Sequence, residues 1–75
     1  MKNLRIYDNG GATFDRYTVV YMDRPEYDGF YECLGMSENA LGFCQHSSAM
    51  IGSHLGKPIK FNQLPEACQR AALRG

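Results

Sequence analysis

Two clusters of turn-forming residues bracket the most strand-like run in this chain, and that arrangement limits the fold more than any other feature. Arg16 to Asp23, RYTVVYMD, is rich in β-branched and aromatic residues, which suit the pleated, half-buried surface of a strand. Before it lies Asp8-Asn9-Gly10-Gly11, where Asn and Gly tolerate the positive φ of a hairpin turn; the connection extends to Asp15. After it lies Arg24-Pro25-Glu26-Tyr27-Asp28-Gly29, in which proline cannot donate to a ladder and Asp-Gly favours a turn. Upstream, Asn3 to Asp8 alternates, with Leu4 and Ile6 on one side and Arg5 and Tyr7 on the other. Downstream, Phe30 to Met36 (FYECLGM) reads as a third strand. Connections this short do not allow parallel crossovers, so the three strands form an antiparallel meander.

The second half is less regular. Ser37 to Gly42 reads as a loop or one helical turn. Phe43 to Leu55 reads as a loop with a possible helical turn, capped by Ser47 or Ser48 and ending at Gly52 or Gly56. Pro58 to Phe61 (PIKF) is a short strand, placed at an edge by its proline. A helix runs from about Pro65 to Leu73: proline suits the first turn, Glu66 and the pair Arg70 and Arg74 match the helix dipole, and Leu64, Cys68, Ala71 and Ala72 share one face. The expected fold is α+β, a single domain over residues 1–75, with a three- to four-stranded antiparallel sheet and one C-terminal helix packed on one face.

Size sharpens the functional question. A chain of 75 residues buries only about 60% of the surface its unfolded form exposes, so little is left over for a pre-organised catalytic pocket. No run approaches the ~18 apolar residues of a membrane span, and no secretory signal is visible, so a cytoplasmic protein is expected. Cys33, Cys44 and Cys68 are an odd number and form no CxxC pair, which fits reduced thiols rather than a disulfide framework. Net charge is zero, which counts against a phosphate-binding surface. Residues 1–38 carry a net charge of −3 and residues 39–75 a net charge of +3, either two attracting faces of one fold or a surface for a charged partner.

Four groups of residues can carry chemistry. Cys44, His46 and His54, with Cys33 and Cys68 in conceivable reach, contain zinc-ligand types but lack paired knuckles; the competing reading is buried core thiols and polar loop histidines. Cys44 beside His46 and Ser47 has the parts of a thiol nucleophile but no orienting third residue. The Asp8-Asn9-Gly10-Gly11 turn can form an anion-binding nest, although it lacks the Lys-Ser/Thr of a phosphate loop. Tyr7, Tyr17, Tyr21, Tyr27 and Tyr31, interleaved with Arg5 and Arg16, can stack nucleobases or serve a protein interface if one sheet face is left uncovered. Neutral charge and nearby carboxylates favour the protein interface, and no cofactor is expected.

The strings Arg5-Ile6-Tyr7-Asp8-Asn9-Gly10-Gly11, Asp15-Arg16-Tyr17-Thr18-Val19-Val20, Glu32-Cys33-Leu34-Gly35-Met36-Ser37, Gln45-His46, His54-Leu55-Gly56-Lys57 and Leu64-Pro65 span almost the whole chain. Together they resemble a family of short uncharacterised proteins encoded by bacteriophages and related mobile elements of proteobacteria. That resemblance implies an accessory protein that occupies host machinery, such as a defence or regulatory complex, in the bacterial cytoplasm. It also implies glycine at the position of Cys44, which weakens Cys44 as ligand or nucleophile. The expected function is stoichiometric binding of a host protein partner, with Tyr7, Asp8, Asn9, Arg16, Tyr17, Tyr21, Tyr31, Gln45, His46, His54 and Lys57 as the candidate interface. The alternatives are a small zinc- or thiol-dependent enzyme and a single-stranded nucleic-acid binder. The one-sided helix leads to a further expectation, a homodimer that buries the second sheet face or the edge near Pro58.

Overall fold

The sheet grows from the meander. In the computed structural model, which describes residues 3–37 and 44–74, β1 (Leu4–Asp8), β2 (Tyr17–Tyr21) and β3 (Phe30–Met36) pair antiparallel in sequence order. Asp28 (φ 52°) and Gly29 (φ 85°) both adopt positive φ, and Tyr27 and Phe30 exchange two backbone hydrogen bonds of 2.9 Å around them. This tight turn starts β3, and Glu26 Oε2 secures it by accepting from Gly29 N at 2.8 Å.

The next segment departs from expectation. Cys44–Met50 is neither loop nor helical turn; it is a seven-residue strand, β4, paired with the whole length of β3. Gln, His and Ser have weak strand propensity, and the pairing template of β3 overrides it. Only Ser53–Leu55 coils, as a 3₁₀ turn. Lys57–Ile59 then forms β5 against β1, so the sheet has five strands in the order β4-β3-β2-β1-β5. Phe61, expected in that last strand, begins a second 3₁₀ turn, Phe61–Gln63. The expected segment Ser37–Gly42 lies outside the described residues after Ser37.

The C-terminal helix α1 is Glu66–Arg74. Its small Cys68, Ala71 and Ala72, with Leu64 ahead of it, let it sit close on Ile6, Tyr17, Val19, Tyr21, Leu34 and Met36. The Tyr21 hydroxyl donates to the Ala72 carbonyl at 2.9 Å and ties the end of the helix to the middle of the sheet.

The second sheet face is not bare, which corrects the premise of an uncovered face. Met50 pairs with Phe30 at one end of the sheet, whereas Lys57 pairs with Asp8 at the other. Residues 51–56 therefore cross that face diagonally from one edge to the other. Leu55 packs there on Tyr7, Val20 and Cys33, flanked by Met22, Tyr31, Ala49 and Ile51. The crossing ends at Gly56 (φ 101°), where a side chain would lie 2.6 Å from Asn9 Cα; only glycine allows that approach.

Candidate functional site: an open edge and an adjoining hollow

The two edges of the sheet differ in kind. β5 is three residues long and carries Pro58, a short and proline-blunted edge. β4 is seven residues long, with no proline and no Asp, Glu, Lys or Arg. Its outer backbone groups bond to no described residue, and Gln45, His46, Ser47, Ser48 and Met50 are exposed. At one end of this edge Tyr27, Phe30 and Met50 expose 76%, 45% and 49% of their surface, forming an apolar corner where β3 and β4 meet. A second interruption, a notch of about 370 Å³ at Leu4, Arg5, Ile6, Tyr7, Pro58 and Ile59, marks where short β5 fails to cover the outer side of β1.

Beside β4, on the face crossed by residues 51–56, lies a hollow of about 210 Å³. Its floor is Thr18, Cys33, Gly35, Ser47 and Ala49, all on one face of three adjacent strands. Asn9, Thr13 and Asp15 of the β1–β2 connection form one rim, and His54 and Leu55 form the other. Cys33 Sγ and Ser47 Oγ are in hydrogen-bond contact at 3.3 Å. The Asp15 carboxylate stands over Gly35, its Oδ2 3.0 Å from where a Cβ at that position would be.

Asn9 organises the rim. Its Oδ1 accepts from Gly11 N at 2.9 Å and Ala12 N at 3.1 Å, and its Nδ2 donates to Thr13 Oγ1 at 2.8 Å and the Asp15 carbonyl at 3.0 Å. Asp8 Oδ1 accepts from Gly10 N and from Arg16 Nε, each at 2.8 Å, while Oδ2 accepts from Arg16 Nη2 at 3.1 Å. The Arg16 hydrogen bond, with help from Gly10 and Lys57, holds the Asp8 carboxyl below its ordinary pKa against a partial desolvation penalty. The N–H groups of Gly10, Gly11 and Ala12 are thus already satisfied internally, and the expected nest is not an open anion site.

The expected interface residues do not form one surface. Tyr7, Tyr17 and Tyr21 are core side chains, 7%, 5% and 0% exposed, so there is no exposed tyrosine face to receive a partner or a nucleobase. Tyr31 is half-buried against the Leu55 cluster. Asp8 and Arg16 pair with each other, and Lys57 is exposed beside Asp8. Gln45 and His46 lie on the open edge, and Asn9 and His54 line the hollow.

The proposed zinc and thiol groupings are also taken apart. Cys33 faces the Leu55 cluster, whereas Cys68 sits on α1 across the sheet and contacts the Ser37 carbonyl at 3.4 Å. His46 pairs with Leu34 on the helix side, and His54 is on the opposite side. Among the described residues no three His, Cys, Asp or Glu side chains come close enough to hold a metal. No imidazole is hydrogen-bonded to Cys33 or Ser47, and the Cys44 side chain lies outside the described residues.

Ser48, Ala49 and Met50 on the edge, and Asp15, Thr18 and Gly35 in the hollow, are not among the expected site residues, and Ser47 and Cys33 enter the sequence reading only through the thiol and zinc groupings. Two signals for them are present in the sequence: a run of nine residues, Phe43 to Ile51, without Asp, Glu, Lys, Arg, proline or glycine, and a glycine inside the strand FYECLGM. No family model matches this chain, and no curated protein or solved structure matches it significantly. No helix among the described residues is long and apolar enough to cross a membrane.

Proposed function

We propose that this chain is a protein-binding module that works by strand addition at the outer edge of β4, and that a second copy of the chain is the occupant of that edge. The observation that supports this reading is the contrast between the edges: one is short and carries proline, the other is long, uncharged and unpaired among the described residues. An unpaired edge is a template for another strand, with main-chain hydrogen bonds supplying affinity.

Self-pairing suits this strand. A twofold axis normal to the sheet keeps each face with its like and, when centred on Ser47, uses all seven residues of β4. Ser47 then meets itself, His46 meets Ser48, and Gln45 meets Ala49. No like charges are opposed, because β4 carries none of the four fully charged residue types. Exposed Met50 and Phe30 flank the new seam and gain a surface against which to be buried. The expected homodimer therefore forms through an edge rather than a face, and through β4 rather than the strand near Pro58.

The resemblance to phage-encoded accessory proteins adds a bacterial host protein as a competitor for the same edge, in the cytoplasm of the host cell. Enzymatic and nucleic-acid readings find less support: the hollow offers no base bonded to a nucleophile, and three of the five tyrosines that would stack bases, Tyr7, Tyr17 and Tyr21, are buried.

Hydrogen exchange tests the reading directly. At high micromolar concentration the outward amides of β4 are expected to be protected, and dilution should release them while β2 amides stay protected. Protection of β4 that does not depend on concentration, or none at any concentration, would contradict self-pairing.

A further inference from the structure

The hollow beside β4 has a polarity that the strand-addition reading does not use. Polar groups of its rim are largely satisfied internally, since Asn9 and Thr13 bond to each other and to the Asp15 carbonyl. The Asp15 carboxylate is different. It is half-buried and makes no hydrogen bond or ion pair with any described residue, while Asp8, at the other end of the same loop, is bidentate to Arg16. Among the described residues, no lysine or arginine lines the hollow.

Gly35 supplies the second observation. It occupies a buried, paired position inside β3, and its φ is not positive, so the backbone does not demand glycine there. Glycine inside a strand costs roughly 0.5–1 kcal/mol relative to alanine, and often marks a close approach of another group. Here the approaching group is the Asp15 carboxyl: a Cβ at residue 35 would lie 3.0 Å from Oδ2 and 3.3 Å from Cγ. The missing side chain makes room for a carboxylate that has no partner among the described residues. Around it stand further acceptors, the Ser47 and Thr18 hydroxyls and the His54 imidazole. At about 210 Å³ the hollow falls below the range of drug-sized pockets and matches one small head group.

We infer that this hollow is a binding subsite for an N–H cation, a guanidinium or ammonium group, seated on Asp15 over Gly35 with hydroxyl and imidazole acceptors around it. A charge-assisted hydrogen bond to a half-buried carboxylate is the strongest polar contact such a hollow can offer. The cation is either a free small amine or the basic side chain of another protein. The inference goes beyond strand addition, because the subsite is complete without a strand on β4.

Backbone-amide NMR of the full chain tests it, with methylguanidinium chloride as the probe and equal sodium chloride as the control. Saturable shifts are expected at Asp15, Gly35, Ser47 and Ala49, with a dissociation constant on the order of millimolar. Asp15→Asn should weaken binding at least fivefold while preserving the dispersion of the spectrum. Gly35→Ala, which crowds the carboxyl, should weaken it as well. Shifts that do not saturate, or that Asp15→Asn leaves unchanged, would overturn the inference.

Two further probes identify the source of the cation. An extended seven-residue alanine peptide with a central arginine that binds at least tenfold tighter than agmatine, and also shifts β4 amides, assigns the site to a protein side chain. Agmatine binding as well as that peptide assigns it to a free amine. Methylguanidinium binding without any peptide-induced shift along β4 leaves the subsite standing and counts against strand addition alone.

Discussion

The Tyr21 hydroxyl is fully buried, and it donates to the carbonyl of Ala72 near the end of the only α-helix among the described residues. Removing it takes away the donor that this buried carbonyl has from the sheet, a loss of about 1–2 kcal/mol. Tyr21→Phe should therefore lower the urea midpoint without changing the slope. The Asp8–Arg16 pair gives a second prediction at this scale, on pH. Asp8 has a folded pKa below its ordinary value, so the folded chain binds fewer protons than the unfolded one in that window. The stabilisation is in full above about pH 4 and is lost as pH falls through the lowered value. With the side chains 20% and 29% exposed, solvent screening limits it to about 1 kcal/mol. Asp8→Asn should be less stable than the parent at pH 7 and should lose less on acidification from pH 5 to pH 2, as read by thermal melts.

At the scale of elements, the crossing segment 51–56 takes the place of a second helix. Leu55 is its one buried side chain, closing a cluster with Tyr7, Val20 and Cys33. Leu55→Ala should cost about 2–3 kcal/mol in chemical denaturation and loosen β5 along with the face, because the segment ends in that strand. These elements were unequally legible in the sequence. β1, β2, β3 and α1 follow from alternation, turn residues and the 3.6 period, since each makes local choices that agree with its final packing. β4 does not, because CQHSSAM owes its conformation to pairing with β3 rather than to any preference of its own. With residues 44–50 reading as loop from sequence alone, the open edge and the crossing over the second face are both hidden. The tyrosines misled for a related reason. Strand-rich aromatics look like an exposed platform when one face is thought bare, and here residues 51–56 help bury Tyr7 while α1 buries Tyr17 and Tyr21. Of the expected interface residues, Gln45 and His46 lie on β4 and Asn9 and His54 line the hollow, a grouping that depends on contacts distant in sequence.

For the molecule as a whole, both sheet faces are covered over their central strands, so what remains to be satisfied is an edge. A chain of this size has little stability to spare, and closing the outer ladder of β4 adds main-chain hydrogen bonds without asking for a larger core. Natural edge strands resist such pairing with proline and lysine, and this sheet uses proline at β5 alone. A twofold seam centred on Ser47 has one signature no other arrangement shares: the residue at the axis meets its own copy. Placing a charge there opposes like with like, whereas mixing opposite charges pairs them. The decisive measurement is light scattering coupled to size exclusion at tens of micromolar protein for the parent, Ser47→Lys, Ser47→Glu and an equimolar mixture of the two variants. The account predicts a mass near twice the 8.5 kDa chain for the parent, near 8.5 kDa for each variant alone, and a return to the doubled mass in the mixture. A parent that remains at the single-chain mass across the concentration range, or variants that dimerise as well as the parent, would contradict it.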